Sequence, residues 1–172
     1  MKNRNTMPES IQGLIEMAKH DPSKAYTVAL VLESSHKNPE IVQYYYQRAA
    51  NAGYTPAMVK IAQRLISGMY QKDRGEDAQS VKDISEGIFW LNRASLAGDY
   101  VASYLMARIF WDGIGVGKSR SKAQSYLLRI NFPYAPANPY EDTEVLFFGS
   151  ANPELNEYVT CRENVNHLSP VI

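Results

Sequence analysis

The 172-residue sequence contains a single cysteine, Cys161, and no surplus of charge of either sign. A lone cysteine excludes an intramolecular disulfide and a cluster of thiolate metal ligands. The 18 basic residues balance 18 acidic ones, so the formal net charge is zero. Because capture of nucleic acid or of an anionic membrane surface needs a basic excess or a dense basic patch, we expect neither as a partner.

Long apolar runs are also missing from the sequence. No stretch of about 18 consecutive apolar residues occurs, so we expect no insertion into a membrane. The N-terminal residues MKNRNTMPESIQGLIEMAKHD lack the uninterrupted apolar stretch and the small-residue cleavage site of a secretory signal. We therefore expect a cytoplasmic protein, or a periplasmic one whose signal peptide has been removed.

The residue types that carry catalysis or bind metals are scarce and scattered. His20, His36 and His167 lie far apart, and the glutamate at helical spacing from each of the first two completes only a pair of ligands, fewer than a zinc site needs. Cys161 and His167 match no recognised arrangement of a thiol nucleophile and its base. The serines follow no nucleophile-elbow pattern. We predict a protein that is not an enzyme and that needs no metal and no cofactor.

The segment DGIGVGKS, residues Asp112–Ser119, is the one stretch that resembles a nucleotide-binding loop. A phosphate-binding loop needs a glycine five residues before the glycine that precedes its lysine. Counting back from Gly117 reaches Asp112, an acid where phosphate would bind. The dinucleotide pattern also fails, because its third glycine would fall on Lys118. We interpret the glycines as a tight turn between two helices and predict no nucleotide binding.

Comparison of the sequence with itself reveals a repeat. YYYQRAANAGYTPA (Tyr44–Ala57) and FWLNRASLAGDYVA (Phe89–Ala102) share an arginine, several alanines and an Ala-Gly pair at a shift of 45 residues. A third, degraded copy follows 36 residues further on, where Arg129 matches Arg93. Repetition at this length is typical of arrays of two-helix units.

Each repeat unit is expected to form two helices. In PAMVKIAQRLISG, which begins at Pro56, the alanines and large apolar residues recur every three or four positions and form one helical stripe. The Ala-Gly pairs mark helix ends that need a left-handed residue. The polar insertion Tyr70–Glu86 is predicted to be a loop. Helices are predicted near residues 8–20, 23–34, 39–52, 56–68, 84–97, 100–112 and 119–130, with a short helix near 152–160.

These patterns predict an all-α fold, a short right-handed α-solenoid of antiparallel helix pairs with an irregular C-terminal extension. Residues 1–130 are expected to form the repeat domain, with an N-terminal capping helix and about three repeats. Residues 131–172 contain five prolines and are expected to pack against the repeats as a cap, with the apolar run Glu144–Gly149 docked on them.

The best unit, AGDYVASYLMARIFWDGIGVGKSRSKAQSYLLRI, resembles the Sel-one-like repeat, a relative of the tetratricopeptide repeat. Its GIGV turn (Gly113–Val116), its Lys122-Ala123 pair and the ring of Tyr126 lie where the family pattern has them. The resemblance covers about residues 24–130 and implies a protein that binds other proteins. A hydrolase of the cysteine-rich secreted branch of this family is the weakest alternative, because that branch carries paired cysteines in each repeat.

The resemblance implies that the first helix of each unit faces the partner. The predicted partner-binding residues are Lys60, Gln63, Arg64, Tyr104, Leu105, Arg108 and Trp111. The opposing interpretation, that Tyr104 and Trp111 pack against the C-terminal extension, stays open. The predicted function is an immunity protein that binds and neutralises a cognate bacterial toxin or effector; the alternative is a regulatory or scaffold adaptor in signalling or secretion.

The arginines that recur in each unit, Arg48, Arg93 and Arg129, allow two interpretations. They form either a ladder for an acidic partner or a packing element, in which each guanidinium lies over a ring or caps a helix end. The packing interpretation is favoured.

Overall fold

The computed structural model describes residues 9–35, 38–67, 78–130, 148 and 151–166, and within these ranges the chain forms helices and turns but no strand. The helices are α1 (Glu9–Ala18), α2 (Pro22–Ser34), α3 (Pro39–Asn51), α4 (Thr55–Ser67), α5 (Ala78–Leu96), α6 (Tyr100–Asp112), α7 (Arg120–Leu127) and α8 (Pro153–Asn166).

The prediction of an all-α fold is confirmed, and the chain divides into two compact units, Met1–Ile61 and Ala62–Ile172. The predicted domain boundary at residue 130 stays a prediction. The side chain of Cys161, as well as His36 and His167, lies outside the described residues.

One prediction about the helices is wrong. The sequence predicts that the insertion Tyr70–Glu86 is a loop and that the next helix begins near residue 84, but α5 already begins at Ala78. Ile84 in this segment is buried, and its burial against the rest of the unit favours helix over the loop that the polar composition suggests. Residues 70–77 of the insertion lie outside the described residues.

Short polar side chains start the helices. The carboxylate of Asp21 accepts a hydrogen bond from the backbone N–H of Ser23 at 2.8 Å at the start of α2. Asp99 accepts one from the N–H of Ala102 at 2.9 Å at the start of α6. Such caps satisfy backbone donors that have no partner within the helix and contribute about 1 kcal/mol each.

Glycines end the second helix of each pair, as the repeated Ala-Gly motif predicts. Gly53 has a φ of 93° and Gly98 a φ of 92°, both in the left-handed region. The N–H of the following residue returns to a helix carbonyl, from Tyr54 to Ala49 at 3.1 Å and from Asp99 to Ala94 at 3.0 Å. This bonding closes the last turn of α3 and of α5.

The glycines of the segment Asp112–Ser119 also form the predicted turn. Gly113 and Gly115 have φ angles of 78° and 65°, which a side chain would strain. A Cβ atom on Gly115 would lie 2.3 Å from Cγ2 of Ile84. The turn after α6 therefore packs directly against α5 at Gly115, and the left-handed φ angles explain the glycines at 113 and 115.

The first unit, Met1–Ile61, is built around the pair α2 and α3. Ala25, Val28, Ala29 and Leu32 form the buried stripe of α2, and the small alanines allow α3 to approach closely. Tyr46 of α3 is fully buried in this unit.

The second unit, Ala62–Ile172, is built around α6. Every residue of α6 from Ala102 to Ile109 is buried, and so is Trp111. Helices α5 and α7 pack on α6, and a Cβ atom on Gly87 of α5 would lie 2.7 Å from Cγ1 of Ile66, which shows how closely α4 and α5 approach there.

The packing interpretation of the recurring arginines is confirmed. Arg48 donates from Nη2 to the carbonyl oxygen of Lys19 at 2.8 Å. The guanidinium carbon of Arg93 lies 5.4 Å from the ring centre of Trp90, and that of Arg129 lies 4.8 Å from the ring centre of Tyr126. Each arginine thus packs within its own unit.

Candidate partner-binding surface

The four predicted binding residues of α6 are buried in this structure. Tyr104 and Leu105 are 0% exposed, Arg108 5% and Trp111 7%. The cover over Tyr104 and Trp111 comes from the C-terminal helix α8. Of the two interpretations left open by the sequence, the structure shows these two residues packed against the C-terminal extension.

The apolar face of α8 consists of Leu155, Tyr158 and Val159. Leu155 and Val159 are buried in one cluster with Tyr104, Ala107, Trp111, Ala123, Leu127 and Ile130. The ring of Tyr158 lies 5.3 Å from that of Trp111 in a tilted arrangement. Spacings of three and four residues place all three side chains on one side of the helix, so the first turns of α8 are seated on α6 and α7 by one apolar side.

Polar contacts fix the register of α8 on this face. The hydroxyl of Tyr104 donates to Oδ1 of Asn156 at 2.5 Å. Nε1 of Trp111 donates to Oε2 of Glu154 at 3.3 Å. Both aromatic side chains thus contribute an apolar ring and a polar group to the same seat, a property that enriches Tyr and Trp at interfaces.

The start of α8 is fixed by Asn152. Its Oδ1 accepts the backbone N–H of Leu155 at 2.9 Å and caps the helix. Its Nδ2 donates to Oδ1 of Asp112 at 2.7 Å. One side chain therefore both starts α8 and attaches it to the end of α6.

An exposed ion pair borders the seat. Nη2 of Arg120 lies 3.1 Å from Oε1 and from Oε2 of Glu154, and the guanidinium carbon lies 3.5 Å from the ring centre of Trp111. The hydrogen bond from Arg120, followed by that from Trp111, holds the pKa of Glu154 below its ordinary value. Arg120 thus recognises an acidic group at the first turn of the seated helix.

Arg108 lies beneath this surface rather than on it. Its Nε pairs with Oδ2 of Asp112, and its guanidinium carbon lies 5.1 Å from the ring centre of Phe148. A buried guanidinium needs such a partner because an unpaired buried charge is strongly destabilising. Phe148 is the one described residue of the apolar run Glu144–Gly149, and it is buried.

The predicted residues of α4 are more accessible. Lys60, in the first unit, is half-buried, and its Nζ lies 3.3 Å from Oε2 of Glu33. The same Glu33 oxygen accepts a hydrogen bond from the hydroxyl of Tyr46 at 2.8 Å. Gln63 and Arg64 are half-buried in the second unit. That these three residues bind a partner stays a prediction.

Sequence reasoning missed Arg120, Asn152, Glu154 and Leu155. The available signal was the Asn-Pro helix start at 152–153, followed by apolar residues at three- and four-residue spacing. What the sequence alone does not reveal is which surface such a helix covers.

Membrane-spanning helices and metal sites are both absent from the described ranges. There, no helix combines the length and apolar character that crossing a bilayer requires. Nor does any group of three or more His, Cys, Asp or Glu side chains in those ranges lie close enough together to hold a metal ion.

Comparison with known proteins agrees with the repeat pattern. The model of the Sel1 repeat matches residues 37–54, 60–99 and 101–130, which together make up half of the chain. The crystal structure of a Sel1 repeat protein from Oxalobacter formigenes aligns with a TM-score of 0.58 and 20% identity, covering 90% of this chain and 99% of that one. At this identity the likeness shows the fold, a helical-repeat solenoid. None of the curated proteins searched matches the chain.

Proposed function

This chain belongs to the Sel1 repeat family, and from that premise we propose that it binds a partner protein through α6 and the predicted residues of α4, without catalysis. Repeats of this family generally mediate protein–protein interaction. The observation that carries the proposal is the seating of α8 on α6, because a face that holds the apolar side of one helix has the shape and the polar groups to hold another.

The role that we propose first is an immunity protein that binds and neutralises a cognate bacterial toxin or effector. A small scaffold of rigid helices presents its binding residues with little ordering cost, and tight neutralisation benefits from that. The second candidate is a regulatory or scaffold adaptor in signalling or secretion. The cover of α8 over α6 favours this alternative, since an occupied face makes binding conditional.

The experiment begins with the full chain immobilised as bait for proteins of its host. Captured proteins are identified by mass spectrometry, purified, and measured by calorimetry. Each is then expressed with and without this chain. A captured protein that stops growth alone and is tolerated with this chain supports the immunity role, whereas a captured protein that is harmless alone supports the adaptor.

Substitutions then test whether the captured partner binds the face of α6. We expect Trp111→Ala to weaken the partner at least about tenfold while circular dichroism stays helical. Arg108→Ala, which the sequence also favours, does not probe contact because Arg108 is buried beneath the surface. Because α8 contacts the same Trp111, the effect is best measured in chains that also carry Leu155→Asp, which removes the anchor of α8. The matched control is Glu157→Ala on the exposed side of α8. Normal binding by Trp111→Ala, with loss of binding on substitution of residues in the insertion Tyr70–Glu86, would instead assign the partner to the insertion.

A further inference from the structure

We propose that the face of α6 and α7 formed by Tyr104, Trp111, Arg120, Ala123 and Leu127, here called the α8 groove, recognises a particular kind of helix, and that α8 is its built-in competitor. The inference rests on the proposed function and adds the chemistry of the partner and the regulation of its binding. The partner segment is a helix that presents an acidic residue in its first turn, followed by leucine and a second apolar residue one turn later.

The pattern of anchors defines the ligand. Helices that bind in grooves insert apolar side chains spaced three or four residues apart. Leu155, Tyr158 and Val159 have this spacing, and Leu155 is fully buried in the groove. A partner helix with the same three positions filled by leucine, an aromatic residue and a β-branched residue would occupy the same volume.

The polar rim sets the direction of the helix. Arg120 pairs with Glu154 at the N-terminal turn of α8, and Tyr104 hydrogen-bonds Asn156 in the next positions. Both members of the ion pair are largely in water, with 50% and 69% of their side chains exposed, so the pair contributes more to orientation than to affinity. The groove therefore selects for an acidic residue at the start of the bound helix.

In the described part of α8, three apolar side chains hold the helix in the groove. Leu155 and Val159 are buried, and the ring of Tyr158 packs on that of Trp111. Hydrogen bonds and the exposed ion pair supply the polar contacts. A helix of 14 residues is marginal in water by itself, so α8 depends on the groove for its order. A competing helix needs to replace these three apolar side chains and the polar contacts of the described part of α8.

Attachment to the same chain gives α8 its advantage over competitors. A tethered segment acts at an effective concentration on the order of millimolar. Vacating the groove without replacement would expose Tyr104, Trp111 and Leu127 to water, which is unfavourable. The groove therefore exchanges one helix for another rather than standing open, and only a partner of high affinity or high local concentration replaces α8.

The test uses the full chain and a fluorescein-labelled peptide of residues 148–166, measured by fluorescence anisotropy. In the unmodified chain α8 competes with the peptide. Leu155→Asp places a charge at the buried anchor of α8 and weakens its seat, so we expect the peptide to bind this variant at least about tenfold more tightly than the unmodified chain. The control Glu157→Ala changes an exposed residue of the same helix and should bind the peptide as the unmodified chain does.

Exchanging the charges of Arg120 in the chain and Glu154 in the peptide tests whether the peptide binds in the α8 groove. In the Leu155→Asp chain, we expect Arg120→Glu to weaken the peptide at least about threefold and a peptide with Glu154→Arg to recover most of the loss. Glu154→Arg in the full chain weakens the seat of α8 less than Leu155→Asp does. Because Glu154 is exposed, this substitution leaves the core packing unchanged. It should also strengthen binding of the unmodified peptide.

The proposal is overturned if the peptide binds Leu155→Asp and the unmodified chain equally, or if it binds neither Leu155→Asp nor Glu154→Arg while both retain cooperative thermal unfolding. A dimer of the unmodified chain in light scattering that Leu155→Asp dissociates would also overturn it, because the occupant would then be α8 of a second copy. The peptide test involves no host partner. If the peptide test fails, the proposal that the chain binds a host partner is unaffected. If no host partner is captured, the proposal that the groove recognises a helix is unaffected.

Discussion

The two units present the same helical positions in different ways. The repeat shift of 45 residues places Lys60 of α4 on Leu105 of α6. Lys60 is half-buried and pairs with Glu33 within the first unit, whereas Leu105 is fully buried in the second. The C-terminal helix covers α6 of the second unit. One repeat position thus holds a half-buried, ion-paired lysine in the first unit and a fully buried leucine in the second, on a helix whose neighbouring residues Tyr104 and Trp111 are covered by α8.

The largest expected effect is on the free energy of unfolding and tests the left-handed glycine cap that the two units share. Gly53→Val and Gly98→Val each force a side chain into a left-handed conformation, at a cost of about 1 to 2 kcal/mol or more in free energy of unfolding. Because both φ angles are nearly the same and a Cβ atom at either glycine would meet no atom within 4 Å beyond its chain neighbours, we expect equal losses in urea denaturation. Gly117→Val, at a position without positive φ and with open space around it, is the control. Parent-like stability of either cap variant would show that its cap is not needed.

The next effect, the loss of one tyrosine hydrogen bond, is expected to differ between the two units. Tyr46→Phe removes the hydrogen bond to Glu33 inside the first unit, and Tyr104→Phe removes the hydrogen bond to Asn156 of α8. Each loss is worth about 1 kcal/mol. We expect Tyr46→Phe to lower the stability of its whole unit and Tyr104→Phe to lower only the hydrogen-exchange protection of α8. Equal loss of protection throughout the second unit in Tyr104→Phe would show that α8 is an inseparable part of that unit.

A smaller effect concerns acid. The hydrogen bond from Arg120 holds the pKa of Glu154 below its ordinary value. The ionised Glu154 therefore stabilises the α8 seat at any pH above the ordinary glutamate pKa of about 4.3. This stabilisation is lost as the pH falls through the depressed pKa. We expect hydrogen-exchange protection of α8, corrected for the intrinsic pH dependence of exchange, to be constant from about pH 7 to pH 5 and to fall below about pH 4. Glu154→Gln should flatten this decline, and Glu157→Gln should not. An unchanged decline in Glu154→Gln would assign the acid sensitivity to other carboxyl groups.

The last prediction is that the segment Asp112–Ser119 does not bind nucleotide. Gly113 and Gly115 are explained by their left-handed φ angles, and the turn has an acid where phosphate would bind, so calorimetric titration with ATP or GTP and magnesium should give only heats of dilution. A micromolar constant that Lys118→Ala abolishes would contradict this interpretation of the glycines.

The sequence was sufficient to predict features that depend on neighbours in the chain. The helix stripes and the left-handed glycines at 53 and 98 are local, and the repeat contains them twice. The pair of Arg120 and Glu154 lies 34 residues apart, and nothing in either segment indicates the other. The early start of α5 was missed for a similar reason, since Ile84 is buried through contacts with residues distant in sequence.

The central claim, that a partner helix and α8 occupy the same face of α6, is tested most directly by hydrogen exchange of the full chain with and without its captured partner. We predict that the amides of α8, residues 153–166, lose protection when the partner binds, while those of α6 remain protected. Protection of α8 that stays unchanged or rises at saturating partner would contradict the claim, because the partner would then bind a surface that leaves α8 in place.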